Sequence, residues 1–515
     1  MKKISLLYLV ALLPLLFGSC DYTDDSELPN GVLPTIEISG FEENGYSVVS
    51  YQGNHLQISP VITTGYNDSQ LTYNWYLVDD KASDQAYYNY VSTKKDYTWK
   101  LISNEKNLDY EVNLAPGNYH ICLDVVADNG YTASYNTTLQ TSTNFTIGYY
   151  ILKQTAEGNT EFDVFRPDDD ELSENLFEAT TGAALAGTPY ALSMANDHAY
   201  IDEETNMQAG DKIVTITTKE GSIRCLRTSD LKCVLNNDNI LYGGSLQAPD
   251  YPYMIISGIW SNIFLSGDGV RSQYVASMQP GTGKYGVAGG GGASRFAVLD
   301  TWIYYDDLNT ICWNGNTHSI FFVDYNGGSN PIDDMPGCQV NNLTGWDCIA
   351  CGWSSPAGGA LFLLQNTSTG ARQLIKLASM GFSGAMPTEA VTLNSNLHLA
   401  KGNVFTVSNR SASFFYTVDN NHIYGYDINT GEEQEITAQG IGNETITYIS
   451  DKWIGSTDTD YFVVGTQNGN QYTLRFYKQL GGKPDGAPLY TTTGTGKVVS
   501  VKYTSLSSSS MAIQD

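Results

Sequence analysis

Tyr461-Phe462-Val463-Val464, then Asn468-Gly469-Asn470, then Tyr472-Thr473-Leu474-Arg475-Phe476-Tyr477 reads as strand, turn and strand. β-Branched and aromatic residues fill the two runs, and Asn-Gly between them is a strong hairpin signal. The same grammar runs through the C-terminal two thirds of the chain. Tyr149-Tyr150-Ile151-Leu152 turns at Glu157-Gly158-Asn159 into Phe162-Asp163-Val164-Phe165. Lys212–Ile216 turns at Glu220-Gly221 into Ile223–Leu226, and Phe414–Val418 turns at Asp419-Asn420-Asn421 into His422–Asp427. Tyr253–Ile256, Ile263–Leu265, Ile320–Val323 and Ala360–Leu364 are further strands. The units recur about every 40–60 residues, the period of β-propeller blades. Closing the ring also disposes of the pairing edges that so many antiparallel strands would expose. The expectation for 148–515 is a propeller-like domain of about seven blades, with Val498–Tyr503 as the strand that closes it. Two further β-sandwich domains are the alternative.

Upstream, residues 35–147 read as a small β-sandwich. Thr35–Ile38 and Leu56–Ser59 alternate, and Leu71–Leu77 does so with aromatic residues. After the turn at Pro116-Gly117, Tyr119, Ile121, Leu123 and Val125 fall on one face. Asp128-Asn129-Gly130 makes the next turn. Short strands at this cadence suggest an immunoglobulin-like sandwich. The whole chain is therefore expected to be all-β.

Composition agrees. Of 515 residues only 16% are charged, while Gly and Tyr number 50 and 36. The formal charge of -28 opposes binding to nucleic acid or anionic lipid and leaves neutral ligands and cations open. Besides Cys20 the chain has Cys122, Cys225, Cys233, Cys312, Cys338, Cys348 and Cys351. That number is odd, so at least one is free or paired elsewhere. Cys225 and Cys233 could close a small loop. Cys348 and Cys351 have Cys-x-x-Cys spacing, but no second Cys or His pair completes a zinc site, and buried strand cysteines are the better reading.

At the N-terminus, Lys2 and Lys3 precede an apolar run, Ile4–Phe17. This is a signal peptide, too short for a membrane span of about 20 apolar residues. It ends in Leu16-Phe17-Gly18-Ser19-Cys20, which resembles a bacterial lipobox in which Cys20 is acylated and becomes the mature N-terminus. An ordinary secreted protein is the alternative. Acidic Asp21–Asp25 look like the surface-export signal of Bacteroidetes lipoproteins. The expected organisation is a signal peptide over 1–19, a lipidated tether over 20–34, the sandwich and the propeller. The expected location is the outer membrane, lipid-anchored and facing outward.

The sandwich resembles the PKD family: Tyr73-Asn74-Trp75 matches its aromatic strand, and Leu114–Val125 with Asp128-Asn129-Gly130 matches its Pro-Gly-x-Tyr strand and turn. With the lipobox and the long β-rich remainder, the chain looks like PKD-like lipoproteins of Bacteroidetes. That resemblance implies an accessory role beside a SusC/SusD-type outer-membrane transporter complex, capturing a glycan or peptide ligand. The reading is non-enzymatic, with no cofactor expected.

Candidate ligand-binding residues are Trp260, Trp302, Tyr304, Tyr305, Trp313, Trp346 and Trp353. Aromatic faces stack on sugars and peptides while polar tips bond them; packing between blades is the competing use. The glycine-rich stretch Gly281–Gly292 nearby reads as a lid or a surface loop. Gly283-Lys284 and Gly496-Lys497 lack the remaining residues of a phosphate-binding loop. The acidic groups Asp168–Glu171, Asp306-Asp307 and Asp333-Asp334 lack calcium-loop spacing and read as solvated turns. No catalytic His-Glu-x-x-His or Gly-x-Ser-x-Gly appears. A propeller glycosidase, needing only two carboxylates brought together in space, is an alternative function, as is a structural or adhesive surface protein.

Overall fold

The computed structural model describes residues 34–50, 53–79, 99–203, 206, 208–247, 252–257, 262–273, 282–290, 296–302, 305–324, 327–454 and 459–505. The lipobox and Cys20 lie outside these. The chain divides into two compact units. The first holds residues up to 46, 55–112 and 118–140; the second holds 47–54, 113–117 and 141 onward.

In the N-terminal part, a five-stranded antiparallel sheet runs through Tyr46–Val49, Thr132–Ser142, Gly117–Ala127, Leu71–Asp79 and Trp99–Ser103. Two pairs accompany it, Ile36–Ser39 with Val61–Thr64 and His55–Ile58 with Leu108–Glu111. The alternation has its expected consequence: Tyr119, Ile121, Leu123 and Val125 are all buried. Trp75 is wholly buried, and its Nε1 donates to the Glu105 carbonyl at 2.9 Å. Trp99 is half-buried and meets Tyr76 edge-on.

The described residues of the second unit form a β-propeller of seven blades. Blade 2 is Pro189–Ile201, Gln208–Thr218, Ile223–Arg227 and Cys233–Asn236. Blade 3 has three described strands, Pro252–Ser257, Asn262–Ser266 and Gly269–Ser272. Blade 4 runs Ala297–Trp302, Tyr305–Asn314, Ser319–Val323 and Ser329–Pro331. Blade 5 is Trp346–Ser354, Gly359–Asn366, Arg372–Ser379 and Ala385–Thr392. Blade 6 is Val404–Val407, Phe414–Asp419, His422–Asp427 and Glu433–Ile436. Blade 7 is Thr445–Ile454, Thr459–Asn468, Gln471–Leu480 and Tyr490–Thr495. Blade 1 is made from both ends of the unit. Gly148–Gln154, Thr160–Arg166 and Glu171–Ser173 are joined by Lys497–Thr504, which pairs antiparallel with Gly148–Gln154.

That pairing closes the ring where the apolar run Val498–Tyr503 placed it. Val498 and Val501 are buried in a core shared with Tyr149, Ile151, Val463 and Phe476 of blades 1 and 7. The Val501 amide also donates to Tyr448 Oη at 3.2 Å, tying the inner strand of blade 7 to the closing strand. Other cores sit between successive blades. Leu361, Leu363, Phe415 and Tyr426 bridge blades 5 and 6, and Tyr416, Ile449 and Phe462 bridge blades 6 and 7.

Each blade thus buries both faces, which explains why its strands read as nearly continuous apolar runs. The seven later cysteines are free thiols. Cys225 and Cys233 lie on neighbouring strands of blade 2, and Cys348 and Cys351 on the inner strand of blade 5.

Candidate functional site

Each blade presents one inner strand to the propeller axis, and these strands enclose a central cavity of about 310 Å³. Every blade contributes a wall residue: Val499, Tyr190, Ile255, Val298, Trp353, Phe405 and Tyr448, in ring order from blade 1. Ser193, Thr406, Asn409, Ser450, Ser500 and Lys502 add polar groups. Apolar walls with a few convergent polar atoms are the usual build of a small-ligand site. No Asp or Glu is among the described lining residues.

Trp353 shows why position in a blade matters. It sits near the end of the inner strand Trp346–Ser354, is 7% exposed, and packs on the core between blades 4 and 5. Its Nε1 has no hydrogen-bond partner in the protein. A buried indole N–H without an acceptor costs free energy, on the order of 1–3 kcal/mol.

Of the other aromatic candidates, the two with described side chains, Trp313 and Trp346, do not share this wall. Trp313 is buried in the same inter-blade core, where it meets His318 edge-on at 6.2 Å, and Trp346 packs against that core from its rim. Neither lines the cavity. Trp260 and Tyr304 lie outside the described residues, as do the side chains of Trp302 and Tyr305. Tyr190, Phe405 and Tyr448 were not singled out in the sequence. The signal that could have found them is recurrence at the start of each blade's first strand, which varied blade sequences conceal.

The glycine-rich stretch is strapped to the ring where it is described. Tyr285 is wholly buried in the core of blades 2 and 3. Its amide donates to the Ile240 carbonyl at 2.9 Å, and its carbonyl accepts from the Tyr242 amide at 3.0 Å. Gly283 keeps φ at +75°, and a Cβ there would lie 2.2 Å from the Ala199 carbonyl oxygen, so only glycine fits. Beside it, His198 is buried with Asn262 Nδ2 donating to its Nδ1 at 3.1 Å; burial pulls its pKa down to about 4 and keeps it neutral.

Asp168, Asp169 and Asp170 fold as a turn, whereas Asp306 and Asp307, expected in a turn, lie in the strand Tyr305–Asn314 because the ladder with Ala297–Trp302 starts there. Arg166 pairs with Asp169 at 2.7 Å and with Glu171, while Asp334 Oδ1 accepts from the Val340 and Asn341 amides. The side chains of Asp306 and Asp307 are outside the described set.

A second cavity, about 370 Å³, lies between blades 1 and 7 and is lined by Lys153, Glu157, Glu161, Asn175, Glu178 and Thr495 among others. Its buried charges serve the fold. Glu161 accepts the Phe177 and Glu178 amides at 3.0 and 2.8 Å, holding the short helix Leu176–Thr181. Lys153 meets Asp163 at 2.6 Å, and Tyr472 Oη donates to that carboxylate at 2.6 Å.

Fold and cavity together define a class: an all-β chain with an N-terminal sandwich and a seven-bladed propeller around a lined axial cavity. More particularly, the sequence model of the PKD-like family matches residues 31–189. The match takes in the sandwich and the three N-terminal strands of blade 1.

Among solved structures, the chain is similar to a quinonprotein alcohol dehydrogenase-like protein from Bacteroides thetaiotaomicron. That likeness has 12% identity and a TM-score of 0.39, covering 92% of this chain and 100% of that one. It is also similar to Hsv2 from Kluyveromyces marxianus, at 9% identity and TM-score 0.32, covering 70% of this chain and 93% of that one. BamB from Moraxella catarrhalis gives 11% identity and TM-score 0.29, with 69% and 87% covered. No curated protein matches the chain. The propeller fold is carried by the strand pairing itself.

Proposed function

We propose that this protein is a non-enzymatic, surface-exposed outer-membrane lipoprotein that captures a glycan or peptide ligand for a SusC/SusD-type uptake complex. Lipidation of Cys20 supplies the anchor, and the PKD-like sandwich acts as a spacer. A binder tethered beside a transporter raises the local concentration of cargo. The observation that carries the capture role is the axial cavity with its aromatic wall of Tyr190, Trp353, Phe405 and Tyr448. The lipobox and the PKD-like resemblance support the anchor and the transporter partner.

The expected result for the cavity is that the soluble chain from residue 34 onward binds a glycan or peptide in a binding screen. Trp353→Phe removes the larger aromatic face from the wall, and is expected to weaken that affinity roughly 3- to 10-fold. Titration calorimetry reads both. Undiminished binding by Trp353→Phe would move the ligand elsewhere, and no binding across the screen would remove the capture role.

For the partner, a C-terminally tagged protein pulled from outer membranes is expected to bring down a SusC/SusD-like pair in stoichiometric amounts. Cys20→Ser is expected to leave the membrane fraction and lose that pair. Recovery of the wild-type protein alone would sink the uptake reading.

A further inference from the structure

Blade 7 turns an oxygen-rich face toward blade 6. Asp451 lies on the inner strand and is 1% exposed. It pairs across the ladder with Phe462, and Tyr461 pairs with Lys478. One step further along those strands, Asp460 and Gln479 therefore face each other on the same side of the sheet as Asp451. The loop after Val407 of blade 6 covers them. The Asn409 amide donates to Asp451 Oδ1 at 3.2 Å, and Ser411 Oγ donates to Asp460 Oδ2 at 2.5 Å. Gln479 Nε2 donates to Asp451 Oδ2 at 2.8 Å, which holds the Gln479 amide, and so its Oε1, beside the carboxylate.

Three atoms in this cluster have no partner in the protein: Asn409 Oδ1, Asp460 Oδ1 and Gln479 Oε1. Asn409 and Gln479 are each only 8% exposed. All three are acceptors, and they stand with two carboxylates. Unsatisfied acceptors beside like charges are costly unless a cation joins them. Two carboxylates and two amide oxygens form an all-oxygen, hard donor set of the kind that takes calcium, with water filling the remaining positions.

We infer that Asp451, Asp460, Asn409 and Gln479 form a calcium site at the seam between blades 6 and 7. No group of three His, Cys, Asp or Glu side chains converges among the described residues, so the two amides are essential to the set. Asn409 also lines the axial cavity, so the metal would brace its wall. The inference stands independently of the capture reading.

The test uses the soluble chain from residue 34 onward, calcium chloride as the probe, and equilibrium dialysis with thermal unfolding. One calcium per chain is expected, with a Kd of about 10⁻⁴–10⁻³ M and a melting temperature that rises with calcium and falls with EDTA. Asp451→Asn and Asp460→Asn are each expected to weaken binding at least tenfold and to abolish the calcium-dependent shift. If Asp451→Asn does not fold, Asp460→Asn, at a less buried position, carries the same reading. Melting that is indifferent to calcium, with no metal bound at millimolar concentration, would overturn the site. So would calcium binding that survives substitution of both aspartates, or a proton shared between them that leaves calcium without effect.

Discussion

A chain ending at Gly496 is expected to lose the cooperative unfolding of its propeller and to aggregate, whereas one ending at Ser505 unfolds like the full chain. The difference is the strand Lys497–Thr504. It supplies the only described partner of Gly148–Gln154 on the axial side, with register from Gly148↔Thr504 to Gln154↔Lys497. Without it, the inner edge of blade 1 is left unpaired beside Tyr149 and Ile151, both of which the intact ring buries. Open, apolar strand edges pair with other chains. Blade 7 also loses Val498 and Val501 from its shared core. A gentler form of the test keeps the strand and changes Val501→Asp, which puts a carboxylate at a 0% exposed position. That change is expected to cost on the order of 4 kcal/mol. Soluble yield and the urea midpoint read both experiments. A truncated chain that melts at the wild-type temperature would mean that the ring does not depend on its closure.

Asp163→Asn is expected to destabilise the propeller by about 3–5 kcal/mol, because it strips the charge that balances a fully buried ammonium. Lys153 and Asp163 are 1% and 0% exposed. Glu174, 3.9 Å from Lys153 and 40% exposed, is a weak substitute. Burial raises the Asp163 carboxyl, while Lys153, Tyr472 and the Asn175 amide pull it back. The pair sits where the first hairpin of the propeller meets the last blade, so its loss acts on the closure too. The double change Lys153→Met with Asp163→Asn is expected to recover more than half of the loss, since a buried pair replaced by matched neutral groups is often close to neutral. Urea unfolding of the two single variants and the double variant measures this. A double variant as unstable as Asp163→Asn alone would show that the ammonium is not the source of the cost.

The hairpins were legible because each carries its own turn chemistry. Asn468-Gly469-Asn470 and Asp419-Asn420-Asn421 sit between apolar runs, and Gly469, Asn420 and Asn421 adopt the positive φ that such turns need. Those are local facts, available to any window of a dozen residues. The tryptophans were ambiguous for the opposite reason. Trp313, Trp346 and Trp353 lie close in sequence on strands of similar composition, yet only Trp353 reaches the axis. Both faces of a propeller blade are buried, so hydrophobic alternation does not separate inter-blade positions from axial ones. The cluster of Asp451, Asp460 and Gln479 is harder still. Its members come from three strands and its cover from another blade, with no spacing that marks them.

Residue order alone therefore determined the strands, their turns, the split between a sandwich and a repeating ring, and the apolar run that returns to close it. Each of those follows from backbone preference and from burial within a few residues. Which side chains line the axis, which tryptophans are core, and which carboxylates share the seam between blades 6 and 7 were decided only by the tertiary structure. Register and ring closure bring together residues from strands that the chain itself keeps far apart.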